Sequence, residues 1–165
     1  MTETERKVLD VLDSLGIAYV RHKHPPVFTV EDADKYWTEL KGTHCKNLFL
    51  RNKKGNRHYL VVAPTSREID LRRLNRMLEE DRLSFGSPER LARCLGLEPG
   101  SVSPFGLIND AAKEVRVIVD QDLRGSGFLG FHANVNTVTL DISFADFERF
   151  LAWSGNDVSY LDLRA

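Results

Sequence analysis

An α+β domain, in which a compact mixed β-sheet is surrounded by helices, is the fold this sequence predicts. Three observations carry that expectation. Apolar strand-like runs and capped amphipathic helices are interspersed without the regular strand–helix–strand repeat of a doubly wound sheet. The runs at 46–50 and 58–63 are joined by a polar segment, 51–57, whose Gly55, Asn52 and Asn56 suit a hairpin connection. The second half is again rich in short apolar runs, at 115–119 and 135–142. No internal repeat, low-complexity segment or linker divides the chain, so one domain is expected over residues 1–165.

The elements follow in order. Thr2 and Glu5 form a candidate capping box, after which Val8, Val11, Leu12 and Leu15 share one helical face and Gly16 supplies a stop. A short strand is expected over 17–22, and Pro25-Pro26 forces an extended turn into Val27-Phe28. Thr29 with Asp32 opens a second helix. Asp70 caps a helix with Leu71, Leu74 and Leu78 on one stripe and Arg72, Arg73 and Arg76 toward solvent, a basic face available to RNA or simply a solvated one. Ser87-Pro88-Glu89 starts another, with Leu91, Cys94 and Leu95 at helical spacing before Gly96. Residues 98–100 begin a loop and 105–108 read as a strand. Asn109-Asp110 then turns the chain toward 115–119. Gly125 to Gly130 reads as a flexible loop, 135–142 as a strand, and Ser143 with Asp146 caps a helix bearing Phe144, Phe147 and Leu151. Residues 158–163 add an edge strand.

Composition bounds the function. A chain of 165 residues that is 42% hydrophobic buries a sizeable core, roughly two thirds of its unfolded surface. With 23 basic and 24 acidic residues it lacks the field of a protein that coats nucleic acid, and no recognition-helix pattern is present, which argues against DNA binding. Any RNA contact should be local. The cysteines, Cys45 and Cys94, have neither zinc-site spacing nor a disulfide framework, which suits a reducing cytoplasm. No apolar run approaches the ~18 residues of a membrane span, and the polar start lacks a signal peptide's apolar core. Five histidines show no metal-binding spacing, so neither a metal nor another cofactor is expected.

Individually, the residues that could carry chemistry are ordinary. Lys46 begins an apolar run, so its stem can lie on the core while its ammonium meets a phosphate; it could equally be an exposed strand-end lysine. Asn47 beside it can donate and accept hydrogen bonds, or cap the strand. Gly100-Ser101-Val102-Ser103-Pro104 is either a plain turn or a loop in which Gly100 permits close approach and Pro104 fixes the chain, leaving backbone groups to polarise an ester carbonyl. His132 follows Phe131 after the 125–130 loop, which would expose it; otherwise it is a partly buried structural histidine. Cys45 is a weak candidate nucleophile, because adjacent strand side chains face opposite ways.

Taken in order, several fragments resemble the YbaK/prolyl-tRNA-synthetase-associated editing family, most closely its free-standing alanyl-tRNA(Pro) deacylases, ProXp-ala. They are Leu15-Gly16-Ile17-Ala18-Tyr19, His24-Pro25-Pro26-Val27-Phe28-Thr29-Val30, Lys46-Asn47-Leu48-Phe49-Leu50, Leu83-Ser84-Phe85-Gly86, the run from Gly100 to Asp110, and Phe131-His132. The resemblance covers about the first 150 residues. It implies a compact mixed sheet with a pocket that hydrolyses the ester of a mischarged tRNA, most closely Ala-tRNA(Pro), in trans. The alternatives are another small residue such as serine or cysteine, or a module that binds tRNA without cleaving it.

The resemblance assigns Lys46 to the terminal adenosine and its phosphate. It assigns Gly100 and Pro104, with Ser101 between them, to the loop that orients substrate and water. The adenosine's own ribose hydroxyl would assist the chemistry. Tyr19, Phe28, Val30, Asn47 and His132 match positions near the aminoacyl group or adenosine, with Phe28 and Val30 as size filters. The implied partners are the acceptor end of an aminoacyl-tRNA and, transiently, prolyl-tRNA synthetase. One departure stands out: Ala133 follows His132 where the family pattern often has proline, which leaves the orientation of His132 less rigidly set.

Overall fold

The computed structural model describes residues 1–26 and 42–164. Its described helices are α1 (Glu3–Ser14), α2 (Leu71–Met77), α3 (Pro88–Leu95) and α4 (Phe144–Ser154), with 3-10 turns at Pro104–Asn109 and Gln121–Gly125. The strands are β1 (Val20–Lys23), β2 (Thr43–Arg51), β3 (His58–Pro64), β4 (Ser84–Phe85), β5 (Val115–Asp120), β6 (Phe128–His132), β7 (Val138–Ser143) and β8 (Val158–Leu161). They form one mixed sheet in the order β1-β7-β6-β2-β3-β5-β8, with β4 paired to β2. The expected α+β architecture is present. The helix start at Thr29 and Asp32, and the extended exit at Val27-Phe28, lie outside the described residues.

The sheet has two unequal cores. β3 is buried on both faces: Leu60 and Val62 join the larger core, Tyr59, Val61 and Ala63 the smaller. That is why its sequence is a continuous apolar run rather than an alternation. The larger core is roofed by Val8, Leu9 and Leu12 of α1, Leu91 and Leu95 of α3, Phe105, and Phe147 and Phe150 of α4. Leu74 of α2, Leu83 and Leu163 close the smaller one.

Caps form where local chemistry dictates. Thr2 Oγ1 accepts from the Glu5 N–H, Asp70 from Arg72 and Arg73, Ser87 from Arg90, and Ser143 from Asp146. At α1 only half of the expected box forms, because the Glu5 carboxylate, 2% exposed, turns to Arg21 of β1 at 2.5 and 3.1 Å. The helix end explains why β1 starts later than residue 17. Gly16 takes φ +68°, and the N–H groups of Gly16 and Ile17 return to the carbonyls of Asp13 and Leu12, so Ile17 completes the helix stop and is buried.

β2 starts earlier than expected, at Thr43, because Thr43 and His44 pair in parallel with Leu129 and Gly130. The β2–β3 turn is held by Asn52, whose Oδ1 accepts from the N–H groups of Asn56 and Arg57.

Four expectations are corrected. Residues 105–108 are not a strand but part of the 3-10 turn Pro104–Asn109. Ser103 caps it by accepting from the Phe105 N–H, and Pro104 sits first, where no N–H is needed. Burial of Phe105 and Leu107 two residues apart imitates a strand, but Gly106 between them is buried as well. Residues 125–130 are not an open loop: β6 begins at Phe128, and its Gly130 leaves room for Asp141, whose Oδ1 a Cβ there would crowd at 3.0 Å. β7 is shorter than 135–142, since 134–137 form the turn from β6, with Asn134 at φ 61°. β8 ends at Leu161, and Leu163 packs into the smaller core instead.

Candidate active site

The site arises where two strands part. β2 pairs with β6 only at Thr43 and His44, then from Cys45 to Arg51 with β3 on its other edge. β6 continues through Phe131 and His132 alongside β7. Between the parting strands lies a cavity of about 30 Å³, bounded by His44, Cys45 and Asn47 of β2, Gly130 and His132 of β6, and Thr139 of β7. That is room for one water-sized group.

Its wall is unusually rich in buried polar atoms. Asn47 Oδ1 and His132 Nδ1 are buried with no hydrogen-bond partner among the described residues. Thr139 Oγ1 lies 2.9 Å from His24 Nε2, and His24 Nδ1 lies 2.9 Å from the Pro25 carbonyl. A carbonyl only accepts, so Nδ1 carries a proton; Nε2 accepts from the Thr139 hydroxyl when the ring is neutral and donates to it when the ring is protonated. Two residues along β7, the buried Asp141 carboxylate accepts from His22 Nε2 at 2.9 Å. It packs against Gly42 and Gly130, where a Cβ would come within 2.9 and 3.0 Å of Oδ1.

His132 is held neutral. Burial, and next the His24 ring with its centroid 5.9 Å away, push its pKa down to about 4, against the Val138 carbonyl, which favours the proton. The half-buried ring therefore accepts hydrogen bonds near pH 7 rather than carrying charge. The expected exposure of His132 by a glycine loop is thus corrected. Its orientation is also secured at the departure from the family pattern: Ala133 is fully buried, and its N–H donates to the Val138 carbonyl at 3.0 Å, a bond proline could not make.

A pH dependence follows. An unfolded histidine takes its proton at its ordinary 6.5, the folded one only near 4, so between them the unfolded state holds more protons. Stability is therefore expected to fall as pH drops from about 6.5 to about 4, by at most about 3 kcal/mol from this residue, and then to level off. Urea unfolding of wild type and His132→Gln should show a stability difference that changes over this window; a pH-independent difference would mean that His132 protonates freely when folded.

The other candidate residues divide. Lys46 sits on β2 opposite Ala63, half-buried, and strand alternation turns it to the face opposite Asn47. Hence Asn47, and not Lys46, lines the cavity. Gly100 takes φ +91° with open space where a Cβ would be, Ser101 is buried with its N–H on the Glu98 carbonyl, and Pro104 is buried. None of these three borders the cavity. Phe105 connects their loop to it, since its ring stands edge-on to Phe131, 5.9 Å between centroids, next to His132. Tyr19 packs on the larger core and does not border the cavity, and burial and then Asp13 push its phenol pKa up. Phe28 and Val30 lie outside the described residues.

Cys45 borders the cavity, but burial, and next Asp120, push its thiol up to about 12, which leaves almost no thiolate. Of the α2 arginines, Arg73 donates to the Asp162 carbonyl at 3.0 Å, whereas Arg72 and Arg76 are exposed. No group of three or more His, Cys, Asp or Glu among the described residues is arranged to hold a metal. No described helix is long and apolar enough to cross a membrane.

Sequence reasoning missed His22, His24, Thr139 and Asp141. Their signal was present: His22 in β1 and His24 just past its end are two apart, and Thr139 and Asp141 interrupt the apolar run of β7 at alternate positions. Register then sets His22 opposite Thr139.

Comparison with known proteins gives the chain's family and fold. Residues 24–150 match the family described as the aminoacyl-tRNA editing domain. The chain is 39% identical over 161 residues to the prolyl-tRNA editing protein ProX of Acetoanaerobium sticklandii, covering 98% of each. It is 32% identical over 151 residues to prolyl-tRNA synthetase associated domain-containing protein 1 of Danio rerio, covering 90% of this chain and 82% of that one. It shares its fold, with a TM-score of 0.72 at 21% identity and 98% coverage of each chain, with a crystal structure assigned as a trans-editing enzyme for prolyl tRNA synthetase.

Proposed function

Because this chain belongs to the aminoacyl-tRNA editing domain family, whose reaction is hydrolysis of the ester joining an amino acid to tRNA, we propose that residues 1–165 form one domain that edits Ala-tRNA(Pro) in trans. The observation that carries the reading is the family match over 24–150, which spans Lys46, Asn47, the 100–104 loop and His132. Water adds to the ester carbonyl, the bond to the terminal ribose oxygen breaks, and the products are free amino acid and tRNA. A synthetase that discriminates by one methylene-sized difference gains only ~1–3 kcal/mol, so a second site that admits the smaller residue adds fidelity.

In this reading Lys46 anchors the phosphate of the terminal adenosine. Gly100, whose Cα faces open space, lets the substrate backbone approach, while Ser101 and Pro104 hold the loop. The substrate's ribose hydroxyl assists the attack. The thiol of Cys45 stays protonated and takes no part. His132 and Asn47 hold the aminoacyl group, Tyr19 stands near that group or the adenosine, and Phe28 with Val30 limit the size of the pocket. The work is done in the cytoplasm, with transient delivery by prolyl-tRNA synthetase.

A panel of tRNAs charged with alanine, serine, cysteine and proline tests this. Alanyl-tRNA(Pro) should be deacylated fastest at catalytic enzyme levels, and activity should survive exhaustive chelation. Undiminished ester with every substrate would sink the enzyme reading and leave a tRNA-binding module. Faster release of serine or cysteine would reassign the specificity.

A further inference from the structure

We propose that the cavity between the first turns of α1 and the end of α3 binds a free α-amino acid as its zwitterion, at a site apart from the one that takes the ester. Its volume is about 260 Å³, just under the range of pockets that enclose drug-sized ligands, and it shares no bordering residue with the cavity between β2 and β6. Binding there requires no deacylase activity.

Stretches far apart in sequence build the site. Glu3, Thr4 and Lys7 come from α1, Gly96 ends α3, Asn109 closes a 3-10 turn, and Asn134 sits in the turn from β6 to β7. Asn134 is 5% exposed, and its Oδ1 and Nδ2 are both buried with no hydrogen-bond partner among the described residues. Buried polar groups are nearly always paired, so this carboxamide calls for an outside partner that carries a donor and an acceptor side by side. The ammonium and carboxylate of an α-amino acid, joined through one carbon, are such a pair.

The surroundings divide by sign. α1 begins at the cavity: Thr2 takes the N–H groups of Glu5 and Arg6, so those of Glu3 and Thr4 have no acceptor within the helix and form its positive end. Lys7, exposed one turn on, adds a cation. α3 brings its negative end, stopped at Gly96 with φ +65°. Asn109 Nδ2 donates to the Leu95 carbonyl at 2.9 Å, which leaves Oδ1 to accept, and a Cβ on Gly96 would stand 2.8 Å from that Nδ2. Glu3 supplies a carboxylate. Although Glu3 and Lys7 lie four apart on one helical face, neither is in an ion pair among the described residues, so both charges are available. The ligand's carboxylate then accepts from Lys7, Asn134 Nδ2 and the α1 N–H groups, while its ammonium donates to Glu3, Asn134 Oδ1 and Asn109 Oδ1. Half-buried Ile108 offers an apolar wall to a small side chain.

The test is an NMR titration of the intact, nitrogen-labelled protein without tRNA, using alanine, proline, propionate and alaninamide. Both amino acids should move the carboxamide signals of Asn109 and Asn134 and the Gly96 N–H saturably. Propionate lacks the ammonium and alaninamide the carboxylate, so each should bind at least ~10-fold more weakly than alanine, the effect of losing one hydrogen-bonded charged group. Asn134→Gly keeps the left-handed backbone open at φ 61° and removes only the carboxamide, and Lys7→Gln changes an exposed position that the fold does not use. Each should weaken alanine binding by about 10-fold. Unmoved signals at Gly96, Asn109 and Asn134 with both amino acids would overturn the site. So would movement confined to Asn47 and His132, which would put the ligand in the other cavity. Propionate binding as tightly as alanine would overturn the zwitterion, and wild-type affinity in Lys7→Gln and in folded Asn134→Gly would overturn the assigned contacts. Deacylation by the same preparation, measured in parallel, tests the earlier reading separately.

Discussion

Replacing Lys46 by alanine is expected to lower kcat/KM for alanyl-tRNA(Pro) by about 10- to 100-fold without changing the fold. A hydrogen bond to a charged group contributes ~1.5–3 kcal/mol net, and each ~1.4 kcal/mol is tenfold in rate. Lys46 makes no hydrogen bond or ion pair with any described residue, and it is half-buried on a strand whose pairing depends on backbone groups. Among the described residues, truncation thus removes no contact except the packing of its stem. The loss should be accompanied by a salt dependence shallower by about one phosphate contact, and Lys46→Arg should recover part of the rate. Equal single-turnover rates for Lys46→Ala and wild type would mean that the phosphate is held elsewhere.

Phe105→Ala is expected to cost about 3–5 kcal/mol, the range for removing a buried phenylalanine. The ring is fully buried and stands edge-on to both Phe131 and Phe150, with centroids 5.9 and 5.2 Å away at 85°. Aromatic pairs in this geometry add to the burial. Against a total stability of ~5–15 kcal/mol, the change should lower the unfolding midpoint by about 10 °C or more. Phe105 also joins the Gly100–Pro104 loop to the strand that carries His132, so the variant that remains folded should lose activity too. Calorimetry together with deacylation at a temperature where the variant is folded measures both, and an unchanged midpoint would place Phe105 outside the core.

Much of the architecture was legible because its signals are local. Thr2, Asp70, Ser87 and Ser143 each bond to an N–H two or three residues ahead, and residue types plus spacing suffice to find such bonds. The β2–β3 hairpin was readable for the same reason. Residues 105–108 were misread because a 3-10 turn buried on several sides leaves the same alternate apolar pattern as a strand. β6 was missed because Gly130 looks like loop chemistry, until Asp141, eleven positions later, is found to need the space.

The candidate site shows the same division. Asn47 and His132, singled out from the order of the fragments, meet at one cavity, whereas Lys46 and the 100–104 loop do not border it. That Asn47 rather than Lys46 faces the cavity depends on strand alternation combined with the point where β2 leaves β6 for β3. The bonds that orient the wall link residues 115 and 119 positions apart, His24 to Thr139 and His22 to Asp141. By itself, the sequence determined the caps, the hairpin, the alternation of fold elements and a family likeness, all of which follow from near neighbours or ordered fragments. Only the tertiary structure decided which polar groups meet around one 30 Å³ space, because strand register brings together groups that no local rule connects.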